Sequence, residues 1–189
     1  MPRPARADAR RNLARIVEVA REAFGARGTS VGMDEIAASA GVGVGTLYRH
    51  FPTKDALIAE IVREQIDRAA DDASAQRESD DAGEAFFAFL ERLWASGPQK
   101  KALVDALGGG AIDLRKHAAS ASKKLRAALA DLLGRAQAEG AVRDDVEVAD
   151  VLALLGASLA ATQRGGTSDR LFRVLCDGLR PPRTKRAKR

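Results

Sequence analysis

A single cysteine, Cys176, and only two histidines are available in these 189 residues for soft-metal binding or nucleophilic chemistry. One cysteine excludes an internal disulfide, and histidines far from it in the chain leave a zinc site or a cysteine nucleophile almost nothing to work with. Aromatic residues number eight, six of them phenylalanine. No window alternates apolar and polar residues over the length of a strand, so strands are not expected. No apolar run approaches the roughly 18 to 20 residues needed to cross a bilayer. The most apolar stretch, 148–161, is interrupted by Asp150 and Gly156. The Met-Pro-Arg-Pro start has no apolar stretch of the signal-peptide kind. The expectation is a cytoplasmic protein with no metal, no cofactor and no membrane contact.

What is abundant is Ala, Leu, Glu, Arg and Asp, a composition that together with the periodicity argues for an all-α protein. The length suffices to bury a real core. Net charge is +5, but it is unevenly distributed. Arg3, Arg6, Arg10, Arg11 and Arg15 crowd the start, and six lysines and arginines with no acid fill residues 179–189. The segment between them is net acidic, so the basic ends favour phosphate contact only where they lie near nucleic acid. Residues 1–8 and 181–189 read as basic flexible tails.

Leu13, Ile16, Val17, Ala20 and Phe24 write the first helix as one apolar stripe, with a stop expected at residues 25–28. Gly32 stands at a cap position, with Asp34 and Glu35 in the first turn of a short second helix carrying Ile36, Ala37 and Ala40. Gly41-Val42-Gly43 breaks the chain, and a third helix runs from Val44 to Phe51, where Pro52 ends it. Thr53 caps a long helix over 54–75. Further helices are expected over 86–95, 100–107, 112–139, 148–161 and 169–179, about nine in total.

Two short helices joined by a glycine-containing turn follow the helix-turn-helix plan, here about residues 32–51. At 100° per residue, Leu47, Phe51 and Val44 form the buried side of the third helix, while Gly45, Thr46 and Arg49 point outward with Tyr48 and His50 on the flanks. A hydroxyl, a guanidinium and bare backbone between a phenol and an imidazole suit a major groove with phosphate walls.

The run Ile36-Ala37, Ala40-Gly41-Val42 and Gly45-Thr46-Leu47-Tyr48-Arg49-His50-Phe51-Pro52-Thr53-Lys54 resembles the TetR family of bacterial regulators over about residues 13–57. The resemblance implies a homodimer, phosphate contacts from Tyr48, His50, Lys54 and, at the approach to the second helix, Ser30, and a ligand cavity in a C-terminal bundle. Family members often carry serine and lysine where this chain has Gly43 and Val44, so a side-chain cap and a cationic contact are missing.

Rival readings fare worse. Gly41-Val42-Gly43-Val44-Gly45 invites comparison with a dinucleotide fingerprint, but Thr46 stands at the third glycine position and an amphipathic helix precedes the turn where a strand is required. The three glycines at 108–110 lack the lysine and hydroxyl of a phosphate loop. An enzyme is therefore not expected.

The sequence reading is a three-helix DNA-binding domain over 9–54 and a ligand-binding and dimerisation domain over 55–180. Its partners would be a palindromic operator, a second copy of the chain and a small hydrophobic effector, with repression by occupancy of the promoter. Leu152, Gly156, Leu159, Ala160, Leu171, Leu175 and Leu179 are the candidate dimer residues, because helix 148–161 is apolar on nearly all sides and Gly156 and Ala160 permit close approach. Phe86, Phe87, Phe89, Leu90 and Trp94 are the candidate effector residues, since they cover more of one helix than a single stripe requires.

Overall fold

The computed structural model describes residues 4–95, 112–162 and 168–182. Among them are eight α-helices, two short 3-10 turns and no strand. The chain divides after Gln65 into two compact units. The ninth expected helix, at 100–107, lies outside the described residues, as do residues 183–189.

In the first unit, α1 (Pro4–Arg27) buries Ile16, Val17 and Ala20, with Leu13 and Phe24 packed at the edges of the same core. It begins at Pro4 and so includes residues assigned from sequence to the tail; a proline suits the first helical position, where its missing N–H has no partner to lose. The helix also passes through Gly25 rather than stopping there, because one interior glycine costs only about 1 kcal/mol. The left-handed backbone of Gly28, φ 70°, is what ends it. After a 3-10 turn (Gly28–Ser30) come α2 (Met33–Ser39), α3 (Val44–His50) and the start of α4 (Lys54–Ala75). Gly32 is the N-cap of α2, and Thr53 Oγ1 accepts from Ala56 N at 3.1 Å at the head of α4, both as the sequence predicts. The core is completed by Val31, Met33, Ile36, Ala37, Ala40, Leu47 and Phe51, together with Leu57 and Ile61 from α4.

In the second unit, Ile66, Ala70 and Ala73 give the end of α4 a buried stripe. On α5 (Ala82–Ala95) the buried residues are Ala82, Gly83, Ala85, Phe86, Phe89, Leu90, Leu93 and Trp94, spaced for one continuous face. That face packs on α6 (Ile112–Ala138), whose Ala121, Leu125, Ala128, Leu129, Leu132, Leu133 and Ala136 repeat the pattern. α7 (Val148–Thr162) and α8 (Ser168–Leu179) pack against each other.

The joint between α4 and α5 is held by α6. Arg135 donates to the carbonyls of Gln76 at 3.1 Å, Arg77 at 2.5 Å and Ser79 at 2.5 Å. One turn further on, the Glu139 carboxylate accepts from Ala82 N at 3.1 Å and Gly83 N at 3.0 Å, while Asp81 Oδ1 accepts from Glu84 N at 2.6 Å. The first three N–H groups of α5, which a helix leaves without internal partners, are thus all satisfied.

Candidate nucleic-acid interface

The turn between α2 and α3 is built by glycine. Gly41 has φ 64°, so it can close α2 in a left-handed cap: Gly41 N donates to Ala38 O and Val42 N to Ala37 O, each at 3.0 Å. A side chain there would be strained by the backbone itself and would also sit 3.4 Å from Arg15 Nη2, which lies against the turn. Gly43 then opens α3 in extended conformation, its carbonyl accepting from Thr46 N at 2.8 Å and Leu47 N at 3.2 Å, with no side-chain cap, in keeping with the missing serine.

Seven residues make α3, and Leu47 is the one that is buried, fully, with Phe51 just beyond the helix end also in the core. Gly45 and Arg49 are exposed as expected, and so is Tyr48; Thr46 and His50 are half-buried. His50 packs near Phe51, ring centroids 6.5 Å apart. Val44 corrects the sequence reading. Its helical phase puts it on the buried side with Leu47, yet it is 42% exposed. Helical phase alone gives direction, but the first turn of a two-turn helix has no neighbour over it, so that direction leads to solvent. Lys54 is half-buried at the head of α4. Ser30 is exposed in the 3-10 turn, where its Oγ donates to Arg27 O at 3.0 Å; beside it Arg27 pairs with Glu35 of α2 at 2.5 Å.

The structure thus brings Gly45, Tyr48 and Arg49 together on one exposed surface of a short helix anchored from behind. The first-unit residue missed from sequence is Arg15. Its charge was counted with the N-terminal arginines, and only tertiary packing places it at the turn.

Residues 16–61 match the pattern of bacterial regulatory proteins of the tetR family, and residues 81–181, more than half of the chain, match the C-terminal domain of SbtR-like transcriptional regulators. The chain belongs to the TetR family. A TetR transcription regulatory protein from Mycobacterium vanbaalenii is 44% identical, with 94% of this chain and 100% of that one covered at a TM-score of 0.70. The TetR regulator SCO0520 of Streptomyces coelicolor is 29% identical over 89% of this chain and 98% of its own, TM-score 0.64. An HTH-type transcriptional regulator of Staphylococcus aureus (strain USA300) is 40% identical over 63 residues, 33% of this chain; the match spans about a third (34%) of that relative's length. The TetR family comprises transcriptional regulators rather than enzymes, and no described helix is long and apolar enough to cross a membrane.

The other candidate residues lie in the second unit. Phe86, Phe89, Leu90 and Trp94 are core residues of α5. Phe87, at the edge of that face, is half-buried and lines an open cleft of about 710 Å³ between α5 and α8. Phe172 lines it too, stacked on Trp94 with centroids 5.3 Å apart, and the Arg180 guanidinium lies 4.2 Å from the Phe87 ring centroid. Cys176 borders the same cleft. Burial pushes its thiol up to about 11, with Arg180 opposing, so it is protonated at neutral pH and a poor nucleophile. Of the candidate dimer residues, Leu152, Leu175 and Leu179 are buried within the chain, Gly156 and Leu171 are half-buried, and Leu159 and Ala160 belong to α7 with side chains outside those described. Leu154 of α7 and Val174 of α8, neither singled out from sequence, are 46% and 63% exposed.

Proposed function

We propose that this chain is a homodimeric, ligand-responsive repressor that reads a palindromic operator with α3 and is released by a small hydrophobic effector. The observation that carries the DNA reading is the division of α3: Leu47 and Phe51 are sunk in the core while Tyr48 and Arg49 stand exposed on the other side. Arg49 would read a base edge, and Tyr48, His50, Lys54 and Ser30 would line phosphates, the two jobs that position a helix in a major groove. Arg49→Ala is expected to weaken the cognate duplex by about 1 to 3 kcal/mol and relax preference at one base pair per half-site, whereas Tyr48→Phe weakens all duplexes alike. Binding titrations on a duplex selected from a random pool test this. An Arg49→Ala protein with unchanged affinity and base preference would remove α3 from the groove.

Dimerisation is assigned to α7 and α8. Their inner leucines, Leu152, Leu175 and Leu179, hold the pair to the protomer, leaving Leu154 and Val174 with half-buried Gly156 and Leu171 to meet a second copy about a two-fold axis. Val174 is exposed in one chain, so Val174→Glu should leave the protomer folded. In a dimer it would bury a carboxylate, weakening association about 100-fold or more. Sedimentation showing an unaltered dimer would place the interface elsewhere.

The effector is assigned to the cleft between α5 and α8, where Phe87 and Phe172 offer apolar surface beside the charged Glu84, Glu91, Arg173 and Arg180, within a volume ordinary for small-molecule sites. It need favour the released state by only about 1 to 3 kcal/mol. Because Trp94 stacks on Phe172, a compound that releases DNA should also change tryptophan emission over the same concentration range, and Phe87→Ala should shift both curves together. Release without any change in emission would sink this placement.

A further inference from the structure

Among the described side chains of the first unit, the large apolar ones left exposed are Val44 and Tyr48, four apart and therefore on one side of α3. A single exposed valine is ordinary. This one has an unusual setting. Gly43 and Gly45 flank it, both exposed, and a Cβ at Gly45 would meet nothing within 4 Å, while one at Gly43 would meet only Thr46 Oγ1 at 3.9 Å. The exposed part of the isopropyl group therefore stands between two chain neighbours that carry no side chain.

We propose that Val44 reads a thymine through its C5-methyl group, adding a base-specific contact to the DNA-binding role proposed above, on which this inference rests. The side chain has no hydrogen-bonding atom. Pressed against the groove edge of guanine, adenine or cytosine, it would strip water from a donor or acceptor and return nothing. Thymine alone among the four bases presents an apolar group there. Val44 thus selects by packing with the favoured base and by desolvation of the others, where Arg49 selects by donating hydrogen bonds.

The test uses the full chain and duplexes it selects from a random pool. Each thymine of the recovered half-site is replaced in turn by deoxyuridine, which lacks only the methyl group. At one position per half-site, wild type should lose about four-fold in affinity, the amount one buried CH₂ contributes. Val44→Ser, a change at an exposed position, should bind the thymine and uracil forms within two-fold of each other. At that same position 5-methylcytosine should bind wild type better than cytosine, with the preference absent in Val44→Ser. Equal affinity of wild type for thymine and uracil at every position overturns the inference while leaving DNA binding intact, as does an undiminished preference in Val44→Ser. Recovery of no specific duplex at all would overturn the DNA-binding reading and this inference with it.

Discussion

Leu47→Ala is expected to abolish specific DNA binding even though Leu47 faces away from the groove. Leu47 is fully buried and is the only buried residue of α3. Truncating such a leucine costs about 2 to 5 kcal/mol through lost transfer energy and the cavity left behind. A seven-residue helix has no independent stability to fall back on, since isolated helices below about 12 to 15 residues are marginal in water. Phe51 and the glycine turn would then hold α3 alone. The loss should stay local, because the core that receives Leu47 belongs to the first unit. Hydrogen exchange should therefore show faster exchange of the amides of residues 44–51 while those of α5 and α6 keep their protection. Wild-type protection of α3 in the mutant would mean that Leu47 is not its anchor.

Gly83→Ala and Gly134→Ala, the same chemical change in two helices, should move stability in opposite directions. A Cβ at Gly83 would lie 2.4 Å from the Ala141 Cβ, and its N–H is already committed to Glu139. Either α5 or the segment after α6 must shift, which costs about 1 to 3 kcal/mol as overpacking and also stretches the bonds that cap α5. At Gly134, inside α6, nothing lies within 4 Å, so alanine brings only its helical preference, about 0.5 to 1 kcal/mol of stabilisation. Denaturant titrations followed by far-UV circular dichroism read both. Midpoints that moved in the same direction would contradict the close approach at Gly83.

These two glycines mark the limit of what a sequence discloses. Gly41 was legible because it stands between two short apolar stripes, where only a turn fits; Gly32 and Thr53 were legible because caps act on the next few residues. Gly83 and Gly134 look alike in a helical pattern, and what separates them is a contact with residue 141. Glu139 and Arg135 act across 56 to 59 positions and leave no local trace. The aromatics of α5 suggested a surplus because rings were counted. Counted by phase, Phe86, Phe89 and Trp94 complete one stripe with Leu90 and Leu93, and only Phe87 lies at its edge. Helical phase puts Val44 with Leu47, but no neighbour covers that first turn of α3. Leu154 carries no sign in the sequence of which face of the apolar α7 another element will cover, whereas Val174 stands on the amphipathic α8 off the stripe of Leu171, Leu175 and Leu179.

Arg135 and Glu139 invite comparison with an ion pair, but they differ from one in a decisive respect. The two members of a salt bridge can exchange places and still attract. These two each face the end of a different helical segment: Arg135 the carbonyls where α4 runs out, Glu139 the amides where α5 begins. The sign at each of those ends is set by the direction in which the chain is read and cannot be reversed by substitution. The order of base in α6 and then acid in the turn that follows it is therefore fixed by chain polarity: exchanging the two residues would put a carboxylate against carbonyls and a guanidinium against N–H groups, with repulsion at both ends.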